Sequence, residues 1–189
     1  IRIETDTLPG LEIRSDVKDV STGEWKNTRV VQKCAPAQGT AIERTETRAF
    51  LDGTEVAHTV KAAIANDTVT VAASWIPNGT AKGFSRVDLW IPESLVEDLV
   101  LTLGDATIFP RSEGQPIRTH QNTGPVVAKR KSNGEFLFRL DGDYLSVTPA
   151  YYPENPNTGL TLRLLNVPND TTANIGDKTD LSWSLSFKE

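Results

Sequence analysis

An all-β antiparallel fold, a sandwich or jelly roll built from hairpin meanders, is predicted by three observations. Apolar and polar residues alternate with a period of two along nearly every patterned stretch. The clearest run sets Leu181, Trp183, Leu185 and Phe187 against Ser182, Ser184, Ser186 and Lys188, as a strand with one buried and one wet face requires. Turn dipeptides Asp52-Gly53, Asn66-Asp67 and Asp141-Gly142 separate such runs. The only helical hint is Pro92–Asp98, where proline suits a first turn and the segment is one or two turns long at most.

In chain order, strands are expected at 11–18, with Leu11, Ile13 and Val17 inward, and at 28–34. Residues 41–75 read as a three-stranded meander. A two-residue loop at Asn66-Asp67 sets Ile64 opposite Val69, Ala62 opposite Val71, Val60 opposite Ala73 and His58 opposite Trp75 on an apolar face. Ala63, Lys61 and Thr59 then meet Thr70, Ala72 and Ser74 on the wet face, and a one-residue slip would mix the two. A similar loop at Asp52-Gly53 sets Leu51 opposite Thr54 and Ala49 opposite Val56, which sends Arg44, Glu46 and Arg48 to the wet side.

Strands follow at 85–91, with Val87, Leu89 and Ile91 inward, and at 98–103 and 106–109. A second meander is expected at 126–148. Its first loop, Ser132-Asn133-Gly134, places Gly134 in the left-handed region. Ala128 then meets Phe138, Val126 meets Leu140, and Lys131 meets Glu135 as an exposed ion pair. A type I′ turn at Asp141-Gly142 pairs Phe138 with Leu145, Phe136 with Val147 and Arg139 with Tyr144. The last strands are 160–167 and 181–188. No Gly/Ser or Pro-rich linker splits the chain, so a single domain is expected, with 110–124 the place where a division would fall.

A second periodicity competes in the second half. Gly104, Gly124, Gly142 and Gly159 are spaced 20, 18 and 17 residues apart, an interval suited to a short β-solenoid. The segment Phe84-Ser85-Arg86-Val87-Asp88-Leu89-Trp90-Ile91-Pro92, followed by Leu99-Val100-Leu101-Thr102-Leu103-Gly104, resembles the strand–Pro–link–strand–Gly opening of adhesin-type β domains. The resemblance covers roughly residues 84–148 and implies a noncatalytic cell-surface domain of short stacked coils.

Composition narrows the function. The chain has 189 residues, a net charge of −5, 38% hydrophobic and 24% charged residues, enough for a sizeable core without disulfide or metal staples. Lys129-Lys131 is the only cationic triplet, so nucleic acid is not an expected partner, and no run suits membrane insertion. The chain has no methionine and begins in strand-like Ile1-Arg2-Ile3-Glu4, from which a processed or excised piece is expected. Sequons at Asn66, Asn78 and Asn169 count only in a eukaryotic secretory context.

Two histidines and one cysteine make a poor set for a triad or a zinc site. His58 reads as a core histidine, His120 as a loop residue and Cys34 as a small buried hydrophobe. Asp141-Gly142-Asp143, Asp177 and Asp180 could offer oxygen ligands to calcium, but turn chemistry explains them first. No metal and no cofactor are expected.

Aromatic residues suggest a site. Strand 85–91 leaves Arg86, Asp88 and Trp90 on its polar face, an indole beside a guanidinium and a carboxylate, suited to sugar stacking and hydrogen bonding. Tyr151 and Tyr152 lie in a Pro/Asn-rich loop, and Trp25 in another; loop aromatics either close a core or contact ligands. The expected function is a noncatalytic secreted or cell-surface binding module, carbohydrate being the favoured ligand, with Trp90, Arg86, Asp88, Tyr151 and Tyr152 as its contacts. The alternatives are a structural assembly protein (viral capsid, fibre or tail component), in which subunit contacts in an oligomer cover those aromatics, and an accessory domain of a carbohydrate-active enzyme.

Overall fold

A computed structural model describes residues 2–3, 10–22, 24, 26–33, 41–110, 124–143, 146–151, 159–165, 172–173 and 179–188. Expectations for Trp25, Cys34, His120, Tyr144, Leu145, Tyr152, Asn169 and Asp177 fall outside these residues. Strands numbered in chain order are β1 (Arg2–Ile3), β2 (Leu11–Asp19), β3 (Lys26–Asn27), β4 (Arg29–Lys33), β5 (Ala41–Ala49), β6 (Glu55–Ala65), β7 (Thr68–Pro77) and β8 (Ala81–Ile91). A short helix α1 (Glu93–Val96) precedes β9 (Leu99–Leu103), β10 (Ala106–Ile108), β11 (Val126–Arg130), β12 (Phe136–Asp143), β13 (Ser146–Ala150), β14 (Leu160–Leu165), β15 (Thr172–Ala173) and β16 (Thr179–Ser186).

They form two antiparallel sheets. The larger runs β10-β9-β11-β12-β16-β7-β6-β5-β4. The smaller runs β1-β2-β8-β14-β13, with β3 on β2 and β15 on β8. The C-terminal strand β16 occupies the middle of the large sheet and joins the two meanders, pairing with β12 on one side and β7 on the other. Its alternation does what the sequence demands: Leu181, Trp183 and Leu185 are buried, Phe187 packs partly against them, and Ser182 is exposed. The main core lies between the sheets, where Leu11, Ile13, Leu89, Leu162, Val71 and Phe138 meet. A smaller cluster of Val17, Phe50, Val56, Trp75 and Ala81 closes one end, with Phe50 stacked on Trp75 at 6.1 Å.

The Asn66-Asp67 turn forms as expected, both residues at positive φ, and the β6–β7 register matches the sequence reading from Ile64↔Val69 to His58↔Trp75. Three other expectations are corrected. The β5–β6 loop holds three residues, not two: Phe50 N donates to Thr54 O at 2.8 Å and Gly53 adopts φ +87°. Arg48 therefore faces Val56, Glu46 faces His58, and Arg44 faces Val60. That one-residue shift turns the charged row of β5 from the wet side to the inner side.

Asp141-Gly142 makes no turn. Strand β12 runs straight through it, with Asp141 opposite Ser184 and Gly142 opposite Trp183, while β13 crosses to the small sheet and pairs with β14. Glycine is needed here for close approach, since a Cβ at Gly142 would lie 2.5 Å from Trp183 Cβ and 2.6 Å from Ser182 O. Gly142→Ala is expected to destabilise by about 1–3 kcal/mol through overpacking, read as a lower urea midpoint; an unchanged midpoint would show that the strands part freely.

In the β11–β12 loop, Gly134 is left-handed as expected at φ +74°. A bulge after Ala128 gives the loop a fourth residue, so the ion pair with Glu135 comes from Arg130 at 3.0 Å and not from Lys131. Every described strand pair is antiparallel, from β1–β2 to β6–β7. The solenoid alternative fails for that reason, because stacked coils would pair successive strands in parallel. Strands β9 and β11 pair with each other across residues 110–124.

Candidate functional site

The outer face of the large sheet carries small residues where a sheet face usually carries large ones. Cross-strand register sets Ala41, Ala63, Thr70, Ser184 and Asp141 in one row, and Glu43, Lys61, Ala72 and Ser182 in the next. These rows line a trough of about 650 Å3 that spans β5, β6, β7, β16 and β12. The trough is open to solvent along five neighbouring strands. Small side chains also bring the backbone itself to the floor. A lobe of about 350 Å3 bordered by Thr59, Ser74, Lys61 and Ala72 adjoins it at the middle strands.

Hydrogen-bonding groups here are hydroxyls and two self-neutralised ion pairs. Lys61 Nζ lies 3.1 Å from Glu43 Oε2, with both side chains over half exposed. Arg139 Nε, in the neighbouring row, donates to Asp141 Oδ2 at 2.5 Å. Exposed pairs of this kind contribute at most about 1 kcal/mol to stability, so they are free to trade partners with a ligand. No cluster of three or more His, Cys, Asp or Glu suited to a metal occurs among the described residues.

Of the residues that sequence reasoning favoured, the described ones, Arg86, Asp88, Trp90 and Tyr151, lie elsewhere and do not form one group. Arg86, Asp88 and Trp90 share the face of β8 opposite Val87, Leu89 and Ile91, as expected, but this face is not simply wet. Asp88 is 3% exposed and Arg86 Nε sits 2.9 Å from its Oδ2. Burial pushes the Asp88 carboxyl up to about 6, with Arg86 and Arg163 opposing. The Arg14 guanidinium covers the Trp90 ring at 4.1 Å, and Gly159 is packed so closely that a Cβ there would lie 2.8 Å from the indole nitrogen. Tyr151 turns into the core, where its hydroxyl donates to Glu93 Oε1 at 2.8 Å.

A buried charge network, absent from the sequence reading, clamps the two sheets together. Arg48 of the large sheet donates to Asp16 Oδ1 of the small one at 2.7 Å and holds Glu46 Oε2 at 2.8 Å. Lys18 reaches Asp16 at 2.6 Å and also Asn27, and Arg44 pairs with Glu46. Glu46 and His58 are each 1% exposed. Burial alone would raise the Glu46 carboxyl, but Arg48 and Arg44 outweigh it and hold it below its usual value. Burial first, and the adjacent Arg48, push the His58 imidazole down to about 4, so it is neutral at pH 7. One signal could have revealed this network: burying aromatic Phe50 rather than Leu51, which is 63% exposed, carries Arg48, Glu46 and Arg44 inward by alternation.

No protein-family model matches the sequence, and no curated protein does. Solved structures do share its fold. The Slr1438 protein of Synechocystis sp. PCC 6803 aligns with a TM-score of 0.54 at 5% identity, over 83% of this chain and 66% of its own. A galactose mutarotase related enzyme of Lactobacillus acidophilus aligns with a TM-score of 0.53 at 9% identity, over 87% and 72% of the two chains. An aldose 1-epimerase candidate of Escherichia coli K12 gives 0.53 at 10% identity, over 85% and 68%. At such identities the likeness is one of fold. The chain is similar in architecture to these β-rich proteins and spans just under two thirds, 66%, of the length of the first.

Proposed function

We propose that the chain is a carbohydrate-binding β domain, an accessory module of a carbohydrate-active protein, and that it takes its ligand in the trough of the large sheet. The observation that carries this reading is the trough itself: about 650 Å3 of open space floored by Ala, Ser and Thr and flanked by two exposed ion pairs. Sugars present hydroxyls that both donate and accept, and short hydroxyl side chains and exchangeable charge pairs match them. Two of the fold neighbours are named for mutarotase or aldose epimerase relationships, which supports the ligand class without extending their chemistry to this chain.

A glycan array tests it. The protein is expected to retain at least one glycan, and Ala72→Trp, which fills the centre of the trough, to lower that retention about tenfold or more. Trp90→Ala serves as the contrast. Retention lost with Trp90→Ala but not with Ala72→Trp would move the site to the small sheet, onto Arg86, Asp88 and Trp90. No retained glycan at all would overturn the reading.

A further inference from the structure

We infer that the trough holds the interior of a linear, uncharged sugar chain laid across the strands, rather than a single sugar; this rests on the carbohydrate reading above. The shape is the first ground. The lining takes no more than three consecutive residues from any strand, such as Ala41–Glu43, Lys61–Ala63 or Ser182–Ser184, yet crosses five strands. Four inter-strand gaps make it about 19 Å long, and three residues of extended chain make it about 7 Å wide. A slot of that outline is one sugar ring wide and several rings long.

Charge is the second ground. Lys61 is matched by Glu43, and Asp141 by Arg139 beside the slot, so among the described residues these pairs present no excess of either sign. An acidic glycan would gain no net attraction and would have to displace an existing partner at every charged contact. A neutral chain faces no such conflict: its hydroxyls exchange hydrogen bonds with Thr70, Ser182 and Ser184, and its C–H faces rest on Ala63 and Ala72. The aromatic residue in its lining, Trp183, is buried with its side chain in the core and offers little face for stacking. Affinity is therefore spread over many weak contacts and accumulates with chain length, as it does for any series of linked subsites. The lobe beside Thr59 and Ser74 gives room for a substituent midway along the chain.

Titration calorimetry of the full chain with gluco-, galacto-, manno- and xylo-oligosaccharides, each from monomer to hexamer, tests this, with oligogalacturonates as charged counterparts. In the series that binds, affinity is expected to rise about tenfold or more, 1.4 kcal/mol, between monomer and tetramer and then level off once the slot is full. Ala41→Trp, at the β5 end, is expected to make it level off at a shorter oligomer, with circular dichroism confirming the fold. A monomer bound as tightly as its hexamer would overturn the chain inference and leave the carbohydrate reading standing. Oligogalacturonates bound more tightly than the neutral series would overturn the charge argument. Failure of every sugar to bind would remove the carbohydrate reading itself.

Discussion

Replacing Arg48 with alanine is expected to destabilise the protein by about 3–5 kcal/mol, the cost of breaking a buried ion pair on one side only. The side chain is 7% exposed and bridges Glu46 on its own strand to Asp16 on the other sheet. Its loss leaves the Glu46 carboxylate, 1% exposed, beside the Arg44 guanidinium. Denaturant unfolding followed by tryptophan fluorescence measures the loss. The double replacement Glu46→Leu with Arg48→Met removes both charges at similar volume and is expected to recover most of it. If Arg48→Ala shifts stability by less than about 1 kcal/mol, the network is no clamp, and the packing of the two cores alone holds the sheets together.

The second large effect concerns pH and involves two groups whose contributions oppose each other. His58, pushed down to about 4 by burial, is protonated more readily in the unfolded chain. Its contribution is complete above its unfolded value of 6.5 and is lost as pH falls toward 4. Asp88, pushed up to about 6 by burial, favours the folded state in its protonated form. Its contribution is complete below the unfolded value of 3.8 and is lost as pH rises through 6. Each displacement corresponds to about 3 kcal/mol, and the two windows overlap. From these two groups, stability between pH 4 and 6.5 is therefore expected to stay nearly flat.

Single variants expose the hidden slopes. His58→Gln leaves Asp88 unopposed, so stability is expected to fall as pH rises from 4 to 6. Asp88→Asn leaves His58 unopposed, so stability is expected to fall as pH drops from 6.5 to 4. Unfolding free energies measured across that range give the slopes directly. The same slope in both variants would show that neither group titrates as its surroundings require. The charges facing His58 are Arg48, Glu46, Asp16 and Arg44, and those facing Asp88 are Arg86, Arg163, Asp16 and Lys18. Asp16 is common to both sets, so the two titrations are not independent, and the double variant measures their coupling.

Much of the fold was legible because burial on one face enforces a period of two. The β16 alternation, the β6–β7 register and the inward faces of β2 and β8 were each readable from local pattern. Two glycine signals misled for opposite reasons. At Asp52-Gly53 the turn is real, but its length differs by one residue, and that residue decides which face of β5 is buried. At Asp141-Gly142 the dipeptide has the composition of a turn, yet glycine is there to admit the Trp183 backbone across the ladder. Of the aromatic residues singled out from the sequence, Trp90 and Tyr151 lie away from the trough. Trp90 and Tyr151 stood out by size, whereas the open space belongs to alanines, serines and threonines, which carry no conspicuous signal.

The sequence by itself determined the all-β class, the antiparallel hairpins, the core faces of most strands and the small polar residues on the outer face of β6, β7 and β16. Those properties are local: they follow from neighbours two residues apart and from turns of a few residues. Only the tertiary structure decided that β16 lies between two meanders, that β13 leaves the large sheet, that Arg48 and Glu46 point inward, and that small residues of five strands line one trough. Strand order depends on contacts between segments more than a hundred residues apart, such as β7 with β16. A pattern of period two specifies a face but not the strand that will lie beside it.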